Sequence, residues 1–251
     1  MNTNGEADPM TTDASESREP QVAVRFRCPP ELEGLVPMPA PAVDGLPAWV
    51  REMPAVTMNP IVDAEDDTVK RCPPFIDAMT RGFLIPLVCD LTCDAGEFSW
   101  SLDLPPCGPM EYPRSPIGFH HPSQVTGTPL FEDDRFMIKF HGFWTIETPP
   151  GYAMLFMHPM NRFDLPFTTL SGLVDCDRYN DLFINFPARW RDPSFRGVLP
   201  RGTPIAQCIP VRRERLEAIP GVRDAEATSR SIKTLHRIRR SRGVYRREHR
   251  S

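Results

Sequence analysis

The stretch that decides the fold reads Gly172-Leu173-Val174-Asp175-Cys176-Asp177, an apolar run that ends in two carboxylates. A second stretch, Gly202-Thr203-Pro204-Ile205-Ala206-Gln207, begins thirty residues later. Upstream, Thr148-Pro149-Pro150-Gly151-Tyr152 supplies a proline and glycine turn before a further apolar run. Gly and Pro favour tight turns, and short apolar runs beside them favour strands. The three stretches therefore predict neighbouring strands joined by turns.

Proline is the most unusual feature of the composition, because the 251-residue chain contains 30 of them. Proline disrupts helix interiors, so its spread through residues 28–210 argues against a helical bundle. Short apolar segments separated by Pro, Gly and Asp turns predict a mostly β fold, a barrel or a sandwich. The predicted strands lie at 22–27, 83–88, 98–102, 117–120, 136–140, 144–147, 153–156, 183–186 and 205–209.

The chain divides into three regions by composition. Residues 1–20 are acidic and rich in Ser and Thr, which predicts a disordered tail. Residues 21–223 predict a single β-rich domain that includes a Pro-rich arm at 28–60. Residues 224–251 lack proline and predict a basic, helical C-terminal tail.

The C-terminal tail carries a charge opposite to that of the remaining chain. From Arg212 to Ser251 there are 13 Lys and Arg against 5 Asp and Glu, a net charge of +8, whereas the other residues carry 16 against 28, a net charge of −12. Ile232, Leu235 and Ile238 recur at helical spacing and predict a short basic helix. Such a tail can dock on the acidic body or a neighbouring subunit. We expect only non-specific contact with nucleic acid, through phosphates.

Cysteine usage and the apolar runs bear on the cell compartment. Seven cysteines are an odd number, no Cys-x-x-Cys spacing occurs, and residues 1–20 contain no apolar leader. These features predict free thiols in a reducing cytoplasm. No run of 18 apolar residues occurs, so we expect no membrane span.

Residues 144–214 resemble the core of the dUTPase and dCTP-deaminase superfamily, which has a β-clip fold. The resemblance is carried by Pro149-Pro150-Gly151-Tyr152, Gly172-Leu173-Val174-Asp175 and Ile205-Ala206-Gln207. It implies a dUTPase-like barrel or sandwich, a homo-oligomer, and a ligand that is a nucleotide or a related phosphorylated small molecule. It also implies an Mg²⁺-dependent hydrolase of the nucleotide pyrophosphatase type.

The same resemblance assigns roles to four side chains. Asp175 is expected to be the catalytic group that orients a water molecule, as a carboxylate must in metal-assisted phosphate hydrolysis. Tyr179 is expected to pack on the sugar. Arg162 and Gln207 are expected to contact phosphate oxygens, which need positioned donors.

Most of the chain also resembles an uncharacterised family found in bacteria and tailed phages. This second resemblance is carried by residues 70–80, 144–149, 156–162, 185–187 and 202–207. It leads to an alternative hypothesis, a non-enzymatic, phage-related structural or assembly protein. In that case the Pro-rich arm wraps a neighbour and the basic tail docks on a partner.

Histidines in the predicted β region suggest a third hypothesis. His120, His141 and His158 lie near predicted strands, and imidazole is a common ligand of transition metals. Together with a carboxylate such as Glu147 they predict an iron or zinc site in an oxygenase-like barrel. No His-x-His or His-x-x-x-His spacing occurs.

Overall fold

The computed structural model describes residues 22–130, 136–241 and 243–250. The predicted disordered tail at 1–20 lies outside these residues. The helices in the described part of the chain are α1 (Ala48–Glu52), α2 (Pro73–Thr80), α3 (Ala225–Arg240) and α4 (Val244–Glu248). Pro73 and Pro74 open α2, where a missing N–H costs no helical hydrogen bond.

Strands dominate the described residues. In chain order they are β1 (Arg25–Arg27), β2 (Ala40–Pro41), β3 (Val56–Asn59), β4 (Ala64–Asp67), β5 (Phe83–Pro86), β6 (Leu91–Asp94), β7 (Glu97–Trp100), β8 (Ile117–His120), β9 (Met137–Phe140), β10 (Thr145–Glu147), β11 (Tyr152–Met157), β12 (Phe167–Thr169), β13 (Gly172–Val174), β14 (Phe186–Trp190), β15 (Arg196–Leu199) and β16 (Pro204–Arg212). The prediction of a mostly β fold is confirmed.

The strands form five antiparallel sheets in the described parts of the chain. A five-stranded sheet has the order β13-β11-β16-β5-β2, and a four-stranded sheet has the order β12-β14-β9-β8. A three-stranded sheet has the order β15-β6-β7, and the pairs β1-β10 and β3-β4 complete the set. Within the residues described, none of these sheets closes into a barrel.

The main hydrophobic core lies between the five-stranded and the four-stranded sheet. Met154 and Phe156 on β11 contribute from one sheet, and Phe140 on β9 and Phe186 on β14 from the other. The rings of Phe156 and Phe186 meet with centroids 5.4 Å apart. The arrangement is that of two facing sheets with a shared apolar interior.

Proline and glycine set the turns that bring β11 and β16 together. The amide of Tyr152 donates to the carbonyl of Pro149 at 3.1 Å, and Gly151 between them has a φ of +83°. A positive φ at the third residue, after proline, is the geometry of a type II turn. β11 then pairs with β16 over six residues, from Tyr152 opposite Arg212 to Met157 opposite Gln207.

The Pro-rich arm packs on its own chain. Leu32, Ala42 and Val50 from this segment are buried. Leu32 belongs to a second core cluster that also contains Val88 and Leu104. Burial of a leucine side chain contributes roughly 1.5–3 kcal/mol, which fixes this part of the arm on the body.

The helices are all short in the residues that the structure describes. The longest, α3, has 16 residues and is strongly basic in its last turn. No helix among the described residues is long and apolar enough to cross a membrane. α3 occupies the segment for which the spacing of Ile232, Leu235 and Ile238 predicts a helix.

Candidate functional site

Asp175 lies directly after β13 and is exposed. Its carboxylate forms an ion pair with Arg213, whose Nη1 is 3.0 Å from Oδ2. Arg213 follows β16, two strands away across the sheet. The predicted catalytic carboxylate is therefore already paired with a cation of its own chain.

Asp177 is the more buried member of this pair of aspartates, since its side chain is only 7% exposed. Its Oδ2 accepts the N–H of Gly151 at 3.0 Å and also pairs with Nη2 of Arg213. Its Oδ1 is buried and has no hydrogen-bond partner among the described residues. Arg213 thus joins both aspartates to the end of β16. Of the residues in this cluster, only Asp175 was predicted from the sequence. The Asp-x-Asp spacing was the available signal for Asp177.

Tyr179 lies in the turn that follows Asp175. Its backbone N–H donates to the carbonyl of Asp175 at 2.8 Å, which closes the turn. Its side chain is exposed. The ring is accessible, and its contact with a bound sugar stays a prediction.

Arg162 is held by a neighbouring carboxylate. Its Nε and Nη2 donate to Asp164 at 2.8–3.1 Å in a bidentate arrangement. The indole N–H of Trp49 also reaches Asp164, at 3.4 Å. Bidentate guanidinium–carboxylate pairs have favourable geometry for both partners. Asp164 thus occupies two of the five N–H donors of Arg162, the residue that the prediction assigned to phosphate.

Gln207 is buried in β16, on the side of the sheet covered by α2. Its Oε1 accepts the N–H of Met160 at 2.8 Å, and its Nε2 donates to the carbonyls of Ala78 and Arg81 at 2.9 and 2.6 Å. Both donors and one acceptor site of the carboxamide are therefore satisfied by backbone groups. In this position Gln207 ties α2 and the segment after β11 to the central sheet.

Of the four residues predicted for the nucleotide site, Arg162 and Gln207 lie close together, and Asp175 lies apart from them. Arg162 and Gln207 line a cavity of about 10 Å³ between α2 and the arm, and Asp175 does not contribute to its lining. Gln207 pairs with Met157 on β11, while Val174, next to Asp175, pairs with Met154. Val174 and Gln207 are therefore separated by three residues along the strand direction and by two strands across the sheet, about 10 Å in each direction. Asp175 and Gln207 therefore lie at different ends of this sheet.

His158 uses both ring nitrogens within its own chain. Nε2 donates to the carbonyl of Arg162 at 3.0 Å, and Nδ1 accepts the N–H of Thr169 at 3.3 Å. Burial lowers the pKa of His158, since it disfavours the charged imidazolium. The imidazole therefore acts as a neutral link between β12 and the segment after β11.

His120 and His141 lie in separate surroundings. Nδ1 of His141 donates to the carbonyl of Ser115 at 2.9 Å, and Nδ1 of His120 contacts the side chain of Gln124. Burial also lowers the pKa of His141. Over residues 22–130, 136–241 and 243–250, no three His, Cys, Asp or Glu side chains form a group that could hold a metal ion. The iron or zinc site predicted from His120, His141 and His158 is thus without geometric support here.

An open cleft of about 520 Å³, which we call the aromatic cleft, lies at one end of the four-stranded sheet. Phe98, Phe119, Phe136 and Trp190 supply most of its apolar lining, and Arg189 lies among its lining residues. The volume falls within the roughly 300–1,000 Å³ typical of small-molecule sites. No pattern in the sequence predicted this cleft.

The strand register explains why these aromatic rings converge. Phe119 on β8 pairs with Ile138 on β9, and Ile138 also pairs with Ala188 on β14. Paired residues, and residues two positions away, share one face of a sheet. Phe119, Phe136 and Trp190 therefore share the face of Ile138, which is the face that builds the main core. At this end of the sheet the same apolar face is left partly open.

The β6–β7 hairpin closes one side of the aromatic cleft. Phe98 on β7 places its ring 5.0 Å from Trp190 and 6.1 Å from Phe119 between centroids. Ala95 and Gly96, which form the tip of this hairpin, have φ values of +50° and +95° and line the cleft. Positive φ at both central residues is the geometry of a two-residue type I′ turn. The tight turn therefore fixes β7, and with it the ring of Phe98, relative to β6.

The aromatic cleft retains a large apolar surface in contact with water. Phe119 is 50% exposed and Phe136 is 56% exposed. Burial of this apolar surface by a ligand contributes roughly 25 cal/mol per Å² to the free energy of binding. The arrangement can bind a flat, apolar group between rings, which attract one another in stacked or edge-to-face geometry. It presents no nucleophile or general base among the lining residues that the structure describes.

A scan against protein-family models gave no match, and a search of curated proteins found no relative.

Proposed function

We propose that this protein binds a planar aromatic small molecule in the aromatic cleft. One observation carries the proposal: four aromatic side chains from β7, β8, the residue before β9, and β14 converge on an open space of about 520 Å³. Partly exposed aromatic groups gathered into one concave surface are a common mark of a binding site. The ligand enters between Phe119 and Phe136 on the open side.

The lining favours a particular ligand class. The four rings favour a flat aromatic system, because ring–ring contacts are worth about 0.5–1.5 kcal/mol beyond the burial of area. Arg189 is also among the residues that line the cleft. A guanidinium favours an anionic substituent such as a carboxylate or a phosphate. A nucleotide combines both features and belongs to the proposed class.

Nucleotide hydrolysis at Asp175, with a β-clip fold and Mg²⁺, stays a separate prediction that rests on the resemblance of residues 144–214. The contacts of the candidate residues support it less well. Asp175 is paired with Arg213, Arg162 with Asp164, and the carboxamide of Gln207 with backbone groups. Binding without catalysis is therefore the function that we propose.

A titration with matched probes tests the binding proposal. Naphthalene-2-sulfonate and octane-1-sulfonate carry the same anionic group, but only the first is planar and aromatic. We expect naphthalene-2-sulfonate to bind at least tenfold more tightly than octane-1-sulfonate, as measured by isothermal titration calorimetry. The same titration with nucleotides tests whether they belong to the bound class. Equal affinity for the two sulfonates would count against an aromatic site.

Two variants test where in the molecule the ligand binds. Phe119→Ser removes a half-exposed wall of the aromatic cleft, and Asp175→Asn alters the carboxylate of the hydrolase prediction. We expect Phe119→Ser to weaken naphthalene-2-sulfonate binding at least fivefold and Asp175→Asn to leave it unchanged. A loss in Asp175→Asn alone would move the ligand to the Asp175 region. Release of pyrophosphate from a nucleoside triphosphate with Mg²⁺, abolished in Asp175→Asn, would restore the hydrolase prediction.

A further inference from the structure

Helix α3 presents a basic and apolar surface that its own chain leaves open. Its 16 residues include one Glu and five Lys or Arg, a net charge of +4, and none of them is buried. Ile232, Leu235 and Ile238 remain 45–52% exposed. An amphipathic helix gains its stability mainly by burying its apolar stripe. This stripe therefore lacks the cover that such a helix requires.

The β3–β4 hairpin presents the complementary surface. Residues 56–67 contain four Asp or Glu and no Lys or Arg, a net charge of −4. Met58, Ile61 and Val62 are exposed, and Ile61 at the tip is 90% exposed. The hairpin thus combines unburied apolar side chains with a negative charge equal to the positive charge of α3.

The contacts within one chain do not bring these two surfaces fully together. The C-terminal end of the chain is attached near α2, where Arg250 donates to Asp77 at 2.6 Å. Between this end and the base of the hairpin remains a cavity of about 710 Å³, lined by residues such as Asp67 and Tyr245. Ile238 of the stripe lines this cavity, whereas Ile232, Leu235 and the tip at Ile61 lie outside its lining and remain exposed.

We propose that α3 docks on the β3–β4 hairpin of a second copy of this chain. In a twofold arrangement each copy gives one helix and one hairpin, so the contact forms twice. The helix supplies Ile232 and Leu235 to the apolar tip, and its basic side chains face the acidic strand β4. This inference rests on charge and exposure and is independent of the aromatic cleft.

The charge and the apolar stripe of α3 argue against two other binding partners for this helix. Pairing α3 with α3 of a second copy would bring two helices of net charge +4 together, which like charges oppose. Pairing with nucleic acid satisfies the basic side chains but leaves the apolar stripe and the hairpin tip exposed. The hairpin of a second copy satisfies both the charge and the apolar surface.

Analytical ultracentrifugation of the full chain tests this contact. The hairpin-reversed variant carries Asp63→Lys, Ala64→Lys and Glu65→Lys, which changes the net charge of residues 56–67 from −4 to +1 and leaves the hydrogen bond from Asn59 to Asp66 intact. The helix-reversed variant carries Lys233→Glu, Arg239→Glu and Arg240→Glu, which changes the net charge of α3 from +4 to −2. We expect the wild type to form a dimer, and each variant to raise its dissociation constant at least tenfold.

Mixing the two variants provides the sharpest readout. In a mixed dimer each reversed hairpin faces a reversed helix, and each unchanged hairpin faces an unchanged helix. The mixture should therefore dimerise more tightly than either variant alone, because it contains one unchanged contact and one contact between opposite charges. Arg178→Glu with Arg215→Glu, two exposed arginines elsewhere, controls for net charge and should leave the dimer unchanged.

Three results would overturn the proposal. The first is a wild type that stays monomeric at all concentrations. The second is a dimer that neither reversal weakens, and the third is a mixture that dimerises no more tightly than either variant alone. Binding of a DNA oligonucleotide that the helix-reversed variant loses, with no change in mass of the protein, would assign α3 to nucleic acid instead. Circular dichroism spectra of every variant confirm that the fold is retained.

Discussion

Nη1 of Arg213 lies 3.0 Å from a carboxylate oxygen of Asp175, so the residue predicted to activate water is paired with a cation from the end of β16. The same guanidinium contacts Asp177, whose side chain is almost fully buried. Arg213 therefore joins β13, the turn before β11, and β16. We interpret this cluster as a structural link at the end of the central sheet.

The Arg213 cluster predicts unequal effects of substitution. Arg213→Ala leaves the buried carboxylate of Asp177 without its cation, and we expect a loss of about 2 kcal/mol in the free energy of unfolding. Asp175→Asn alters an exposed ion pair and should cost less than about 1 kcal/mol. Urea unfolding of both variants measures the difference. Equal losses would contradict the structural interpretation.

Gln207 gives a second test of structure against ligand binding. Gln207→Leu leaves the N–H of Met160 and the carbonyls of Ala78 and Arg81 without partners, so we expect a loss of about 2–4 kcal/mol in unfolding free energy. Gln124→Leu changes an exposed glutamine and serves as the matched control. Unchanged stability in Gln207→Leu would free the carboxamide for the phosphate contact that the resemblance implies.

His158 predicts a pH dependence of stability. Burial holds its pKa in the folded state below the ordinary value of 6.5, so the unfolded chain binds the proton more readily. Stability is therefore full above about pH 6.5 and falls as the pH drops below that value. We expect His158→Gln to flatten this fall between about pH 6.5 and 5, as measured by urea unfolding. His236→Gln, on the exposed surface of α3, should retain the wild-type slope.

The cysteines predict a pattern of chemical reactivity. All seven are free, with Cys72 and Cys107 exposed and Cys176 and Cys208 buried. Burial raises the pKa of Cys176 to about 11, which lowers its thiolate fraction at neutral pH. We expect iodoacetamide to modify Cys72 and Cys107 first, and Cys176 and Cys208 only after unfolding. Peptide mass spectrometry at short reaction times distinguishes the two groups.

Local patterns in the sequence predicted much of the sheet structure. Short apolar runs beside Pro and Gly turns located β11 and β16, and the prolines at 73 and 74 located the start of α2. The strand predicted at 183–186 instead runs from Phe186 to Trp190. Pro187 lies within this strand, and its carbonyl accepts the N–H of Leu170 at 2.8 Å.

Features that depend on distant contacts were missed. The β3–β4 hairpin was not predicted because β4 is entirely exposed, consists of Ala64 and three acidic residues, and has no apolar alternation. The aromatic cleft escaped for a different reason, since Phe98, Phe119 and Trp190 come from three strands whose register no single segment reveals. Arg213 likewise meets Asp175 only because β13, β11 and β16 are neighbours in one sheet.

The measurement that tests the central claim most directly is a two-dimensional ¹H–¹⁵N spectrum of the four tryptophan indole groups during titration with naphthalene-2-sulfonate. Of these tryptophans, Trp190 lines the aromatic cleft, whereas the indoles of Trp49 and Trp144 donate to Asp164 and to the carbonyl of Pro37. The variant Trp190→Phe assigns the signal. We predict that the Trp190 signal shifts with saturation while those of Trp49 and Trp144 stay in place. A saturable shift at Trp49 or Trp144, with Trp190 unmoved, would contradict the proposal.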